Sequence, residues 1–233
     1  MNRTKPQLYK RIIAYIIDLL VVTLLAGIVT MMFTDTKEYD KYSKEALELT
    51  EKIVKEDLPQ EEFREQFKEI NYNLTKSSVN VTIITIVTSI VYYVVMCYFC
   101  HGITLGKSIM KLRIVSANER EINIFHYLLR SLIVNSILSN VVTIIMIYTL
   151  SKQTFININD KVNNVFTLIL IITFIVMMYR EDGRGLHDLL GNTKVIDIKY
   201  QEENNEESKD TVEEAKVIEE KTSKKKGRKK EGN

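Results

Sequence analysis

Residues 12–33 read IIAYIIDLLVVTLLAGIVTMMF, a run of 22 residues in which Asp18 is the single charge. A helix of that length crosses a hydrocarbon core of about 30 Å. A carboxylate inside such a span costs roughly 2.5–3.5 kcal/mol even on lenient insertion scales. It therefore faces a bundle interior, a partner charge or a watery cavity. The stretch follows Arg3, Lys5, Lys10 and Arg11, as a signal peptide would. It is too long for a signal-peptide core and has no small-residue cleavage site, so it reads as an uncleaved first span.

Three further apolar runs stand out: Val79–Cys100, Ser131–Leu150 and about Val162–Tyr179. Together they predict an all-α integral membrane protein of four spans. Basic residues set its orientation. Lys107, Lys111, Arg113, Arg120 and Arg130 lie between the second and third runs, and Arg180, Arg184 and Lys194 follow the fourth. The loop 151–161 holds only Lys152 and Lys161. Both termini are thus expected in the cytoplasm of a cell membrane. The abundance of isoleucine, lysine and asparagine, without tryptophan, points to an AT-rich, bacterial coding bias.

The division expected is 1–33 for the N-terminus and first span, 34–78 for an outside insert, 79–199 for the remaining membrane domain, and 200–233 for a disordered cytoplasmic tail. The insert has eight basic and twelve acidic residues. Tyr39, Tyr42, Ala46, Leu49 and Ile53 recur at helical spacing, and Phe63, Phe67, Ile70 and Leu74 resume it after Pro59. That pattern predicts a charged helical hairpin turning near Leu58–Pro59. The tail carries too few large apolar residues to fold alone. A net charge of +2 with no basic face gives no sign of nucleic-acid binding.

Polar residues also line up inside the runs. Thr82, Thr85, Ser89 and Tyr92 share one face of the second, and Ser136, Ser139, Asn140 and Thr143 one face of the third. Such stripes serve close helix packing, or they line a polar path beside Asp18. Arg11 is seven residues before Asp18, about 10 Å along the helix axis. Both side chains lean toward the N-terminus, so the arginine head is expected among the headgroups. Arg130, at the start of the third span, is then the leading partner for Asp18.

After the second run comes HGITLGKS, residues 101–108. It is a near miss to a phosphate-binding loop, one residue short between Gly102 and Gly106, with His101 where a glycine belongs. Nucleotide binding does not follow from it. Met110–Ser116 and Thr193–Lys199 alternate like strands, which suggests a small two-stranded cytoplasmic ribbon. Ile122–Leu129 reads as an interfacial helix. Cys97 and Cys100 lack the second pair a zinc site would want. The three histidines, His101, His126 and His187, are not spaced as ligands. No nucleophile–base arrangement appears, so neither an enzyme nor a cofactor is expected.

The stretches YKRIIAYIIDLL (9–20), GITLGKSIMKLRIV (102–115), YLLRSL (127–132) and RGLHDLLGNTKVI (184–196) together resemble the RDD family of membrane proteins, named for one arginine and two aspartates. By that resemblance the arginine is Arg11, the first aspartate Asp18 and the second Asp188, with Asp182 the other claimant. Lys107, Arg130, Gly102, Gly106, Arg184 and His187 lie in the same matching stretches as supporting residues. The family's activity is largely undefined, with transport suggested for it. Two functions stay open. One is small-solute, cation or proton transport, Asp18 exchanging the ion, Arg11 and Arg130 tuning it, Asp188 guarding the cytoplasmic mouth. The other is a membrane scaffold or accessory subunit whose buried charges are structural. The partners implied are the lipid bilayer, a monovalent cation or proton, and a second copy of the chain, since four spans are few for a transporter.

Overall fold

The computed structural model describes residues 6–55, 58–118 and 121–198. The 200–233 tail lies outside them. The chain is mostly helical. Helix α1 is Leu8–Phe33, α2 Lys37–Val54, α3 Gln60–Ser77 and α4 Val79–Ile90. A π-helical stretch, Val91–Met96, and a short α5, Cys97–Phe99, continue α4 in the same direction. Then come α6 (Leu105–Ile109), β1 (Leu112–Ser116), α7 (Ile124–Val134), α8 (Ile137–Thr149), α9 (Lys152–Tyr179), α10 (Leu186–Leu190) and β2 (Thr193–Asp197).

Among the described residues, three helices are long and apolar enough to cross a membrane: Leu8–Phe33, Val79–Phe99 and Lys152–Tyr179. The pair α7 and α8 makes a fourth candidate only if its two halves, bent by 68°, count as one span. The sequence predicted an unbroken helix over Ser131–Leu150, preceded by a separate interfacial one. Instead the break falls at Asn135–Ser136. Ser136 takes the left-handed conformation (φ 54°). Its carbonyl accepts the Asn140 N–H at 3.0 Å and the Ser139 hydroxyl at 3.0 Å. Short polar side chains compete in this way with the helix ladder.

The fourth run also begins earlier than expected. Residues 152–161, read as a loop, are the first turns of α9. Ser151 caps them, its hydroxyl accepting the Thr154 N–H at 3.3 Å. Phe155, 1% exposed, packs edge-on against Tyr72 of α3. Lys152 reaches Glu69. Polar residues on this stretch thus ride a helix held by α3.

The packing gathers two ends. At one, α2 and α3 pack together, Leu49 is buried between them and their neighbours, and Val79, Met146, Ile147 and Phe155 form a small core. At the other, Ala14, Val94, Cys97, Leu112, Ile114, Tyr127 and Val195 form the larger core. Strands β1 and β2 pair antiparallel there, Leu112 opposite Asp197 and Ser116 opposite Thr193. Val22, Tyr92 and Tyr93 lie between. The π turn places Tyr92, Tyr93 and Val94 all inside; an added residue in the turn re-aims a helix face, a common device at functional sites.

Candidate functional site

Asp18 is 1% exposed, and its carboxylate is fully engaged. The Tyr92 hydroxyl donates to Oδ1 at 2.6 Å, the Gly106 N–H donates to Oδ1 at 2.7 Å, and the Thr104 hydroxyl donates to Oδ2 at 2.5 Å. Lys107 Nζ lies 3.6 Å from Oδ2 and donates to the Thr104 hydroxyl at 3.0 Å. Burial is the main influence pulling the Lys107 ammonium below its ordinary pKa, with nearby Asp18 opposing it. The segment that resembled a phosphate loop therefore does cradle an anion with a backbone amide, a hydroxyl and a lysine. The anion is the protein's own Asp18.

Gly106 makes that contact possible. A Cβ there would meet the Ala14 carbonyl oxygen at 2.1 Å and Asp18 Oδ1 at 2.9 Å. Only a bare backbone lets α6 lie this close to α1. Gly102 turns the chain at φ 86° and is locked by the Ile114 N–H donating to its carbonyl at 3.0 Å. A Cβ at Gly102 would overlap that strand, 2.2 Å from the Ile114 oxygen.

Asp188 is the second buried carboxylate, 0% exposed, in α10. Arg11 Nη2 donates to Oδ2 at 2.9 Å, and Arg130 Nη1 pairs with Oδ1. The Gly185 N–H donates to Oδ2 and the Thr193 hydroxyl to Oδ1, both at 3.3 Å. His187 Nε2 is 3.3 Å away. Burial, then the charges of Arg130, Arg11 and Lys107, hold the His187 imidazole well below its ordinary pKa, so it is neutral near pH 7. The site thus contains two guanidiniums on one carboxylate.

Two expected contacts do not form. Arg130 does not pair with Asp18; it goes to Asp188 because α10 packs on α7. Lys107, four residues past the turn at Gly102–Ile103, takes Asp18 instead. Nor does the Arg11 head run outward. It meets the chain that follows α9, where it also donates to the Gly183 carbonyl. Arg184 stays apart from these clusters and pairs with Asp182, as Arg180 does. Asp182 is held well below the usual carboxylate range, first by its hydrogen bond from Arg180. Asp188, the second family aspartate, reaches both Arg130 and Arg11.

A third buried carboxylate escaped the sequence reading. Asp197, 0% exposed at the end of β2, receives Lys10 Nζ at 2.5 Å. The only hint was Lys10 beside Arg11 in sequence. The two partners are 187 residues apart. The polar stripes, by contrast, largely satisfy themselves within their own helices. Thr82 bonds the Ser78 carbonyl, Thr85 the Val81 carbonyl and Ser139 the Ser136 carbonyl. Only Tyr92 of these residues touches Asp18.

Beside both carboxylate clusters lies a cavity of about 410 Å³. Arg11, Asp18, Lys107 and Arg130 line it, with apolar walls that include Ile12, Leu170, Phe174 and Met177. Tyr93 and His187 line it too, and each keeps a buried polar atom, Oη and Nδ1, without a hydrogen-bond partner among the described residues.

No curated protein and no solved structure matches the chain. A model of the RDD family matches residues 5–192, a stretch that holds Arg11, Asp18 and Asp188 and ends one residue before β2. The chain belongs to the RDD family.

Proposed function

We propose that this chain is a cell-membrane protein, not an enzyme, that carries a small solute through the cavity between α1, α7 and α9. The observation that carries the reading is the cavity itself, about 410 Å³ of space beside two buried carboxylates and three cations. Space of that size suits a small-molecule site. In this reading four spans are used, α7 and α8 forming one broken span. Broken spans are how transporters place polar backbone at membrane depth. The basic end, with Arg11, Lys107, Arg130, Arg180 and Arg184, faces the cytoplasm, as do both termini. The 34–78 hairpin lies outside, the β1–β2 ribbon inside, and a homo-oligomer completes the path.

The geometry refines the roles. Asp18 offers little to a bare cation, since three hydrogen-bond donors and the Lys107 ammonium already surround it. It serves as a wall of the site, and Asp188 ties α1, α7 and α10 together. The same saturation favours the second reading, a scaffold whose buried charges fix helix register.

Proteoliposomes decide between them. Protein-containing vesicles would be assayed for proton, rubidium and chloride flux beside empty vesicles. Met177→Trp fills the cavity and leaves every ion pair in place. Flux in the native protein that Met177→Trp abolishes supports transport. Vesicles indistinguishable from empty ones under every ion gradient, and in movement of a labelled alkyl phosphate between leaflets, would leave the scaffold.

A further inference from the structure

Arg11, Lys107 and Arg130 line the cavity, and among the described residues the buried carboxylates they pair with are Asp18 and Asp188. Two guanidiniums, Arg11 and Arg130, share the single carboxylate of Asp188, while Lys107 faces Asp18, so one arginine charge is left over. His187 adds none, being held neutral by burial and by these same cations. Asp182, the next carboxylate along, also acts on Arg11 through space, but its close partners are Arg180 and Arg184. Lys10 pairs with Asp197. A buried charge without a counterion is expensive, and the exposure of these three side chains is only 10–14%. An anion in the cavity would remove that cost.

The rest of the wall says what kind of anion. Ile12, Tyr15, Leu170 and Phe174 line the cavity yet are 37–40% exposed on the outer surfaces of α1 and α9. Both helices are candidate spans. The cavity therefore continues sideways onto surfaces that meet lipid chains. A free inorganic anion would gain nothing from those walls. A molecule with an acyl chain and a compact anionic head would use both: the chain beside Leu170 and Phe174, the head among the cations. Arginine and lysine suit carboxylate and phosphate heads alike.

We propose that the cavity binds a membrane amphiphile with a single anionic head, carboxylate or phosphate, entering from the bilayer between α1 and α9. The proposal rests on the reading of this cavity as a solute site and names the solute's class. Arg130 is the central contact, since it faces the cavity and has donors beyond the one that holds Asp188.

Radiolabelled hexadecyl phosphate would be bound to the full-length protein immobilised in maltoside micelles. Competitors would be palmitate, hexadecanol, hexadecyltrimethylammonium and inorganic phosphate. Saturable binding is expected, displaced by palmitate at similar concentration and by hexadecanol at least about tenfold more weakly, as loss of a charge-assisted contact implies. The cationic amphiphile and inorganic phosphate should not compete. Arg130→Gln should weaken binding by about tenfold or more, and Met177→Trp, which disturbs no ion pair, should abolish it. Hexadecanol competing as well as palmitate would overturn the anionic head. Inorganic phosphate competing as well would overturn the amphiphile. Native binding by Met177→Trp would remove the cavity as the site. Binding without movement of hexadecyl phosphate between the leaflets of proteoliposomes would count against transport alone, and ion flux without binding against the ligand class alone.

Discussion

Replacing Asp188 by asparagine keeps the shape of the side chain and removes its charge. The carboxylate is fully buried, and the two arginines on it are 10% and 14% exposed. The substitution leaves two buried guanidiniums without their counterion. Breaking a buried pair from one side costs about 3–5 kcal/mol. For a chain of this length each kcal/mol lowers Tm by about 2–4 °C, so Asp188→Asn should lose about 6–20 °C. Asp182→Asn is the control. Its side chain is 35% exposed, its partners 41% and 22%. Such surface pairs are worth about 0–1 kcal/mol, or about 0–4 °C. The assay uses a thiol-reactive fluorophore on Cys97, which is 0% exposed, in a Cys100→Ser background, heated in detergent. If Asp182→Asn loses as much as Asp188→Asn, or Asp188→Asn shifts by under about 2 °C, the buried double pair is not what holds α10. The same ranking says which aspartate is the structural second member of the family pair.

Further outcomes follow from other contacts. Gly106→Ala should destabilise by about 1–3 kcal/mol or more, by overpacking α6 against the Ala14 carbonyl; a native melting curve would remove that close approach. Asp18→Asn should be strongly destabilising because Lys107 is left buried beside a neutral group, and adding Lys107→Met should recover part of the loss; no recovery would mean the two do not act as a pair. His187 has a folded pKa well below its ordinary 6.5. The unfolded chain then binds the extra proton, so this contribution is intact above about pH 6.5 and is lost as pH falls toward the folded value. His187→Gln should flatten the Tm–pH profile between pH 8 and 5 by up to about 1.4 kcal/mol per pH unit; parallel profiles would contradict a neutral buried imidazole. For orientation, single cysteines at exposed positions 55 and 108 in a cysteine-free background should react with an impermeant thiol reagent in intact cells at 55 only.

Much of this architecture was legible because it is written in local pattern. An apolar run long enough to span, with Asp18 in it, already required a polar partner. The 3–4 spacing of the 34–78 segment and the alternation at Met110–Ser116 each arise within a few residues. What sequence hid was pairing across the chain. Arg11 and Asp188 are 177 residues apart, Lys10 and Asp197 187. On α1, the chain folding back against Arg11 at Gly183 was not visible. Local competition misled the boundaries. Asn135 and Ser136 look compatible with a membrane helix, yet the helix breaks there, with Ser136 in the left-handed conformation. Polar residues after Ser151 looked like a loop because their support, Tyr72 and Glu69, comes from a distant helix. The GITLGK segment carried its true meaning in plain view: an anion cradle whose anion is 84 residues earlier than Gly102 by position, in Asp18.

The assignment of Arg130 to Asp188 rather than to Asp18 fixes which charges build the cavity wall. Two double-mutant cycles test it most directly, Arg130→Gln combined with Asp188→Asn and with Asp18→Asn, read as unfolding free energies in the same detergent. Coupling of about 1–3 kcal/mol is expected with Asp188, and additivity within about 0.5 kcal/mol with Asp18. Strong coupling to Asp18 with additivity at Asp188 would contradict the arrangement and return Arg130 to the first aspartate.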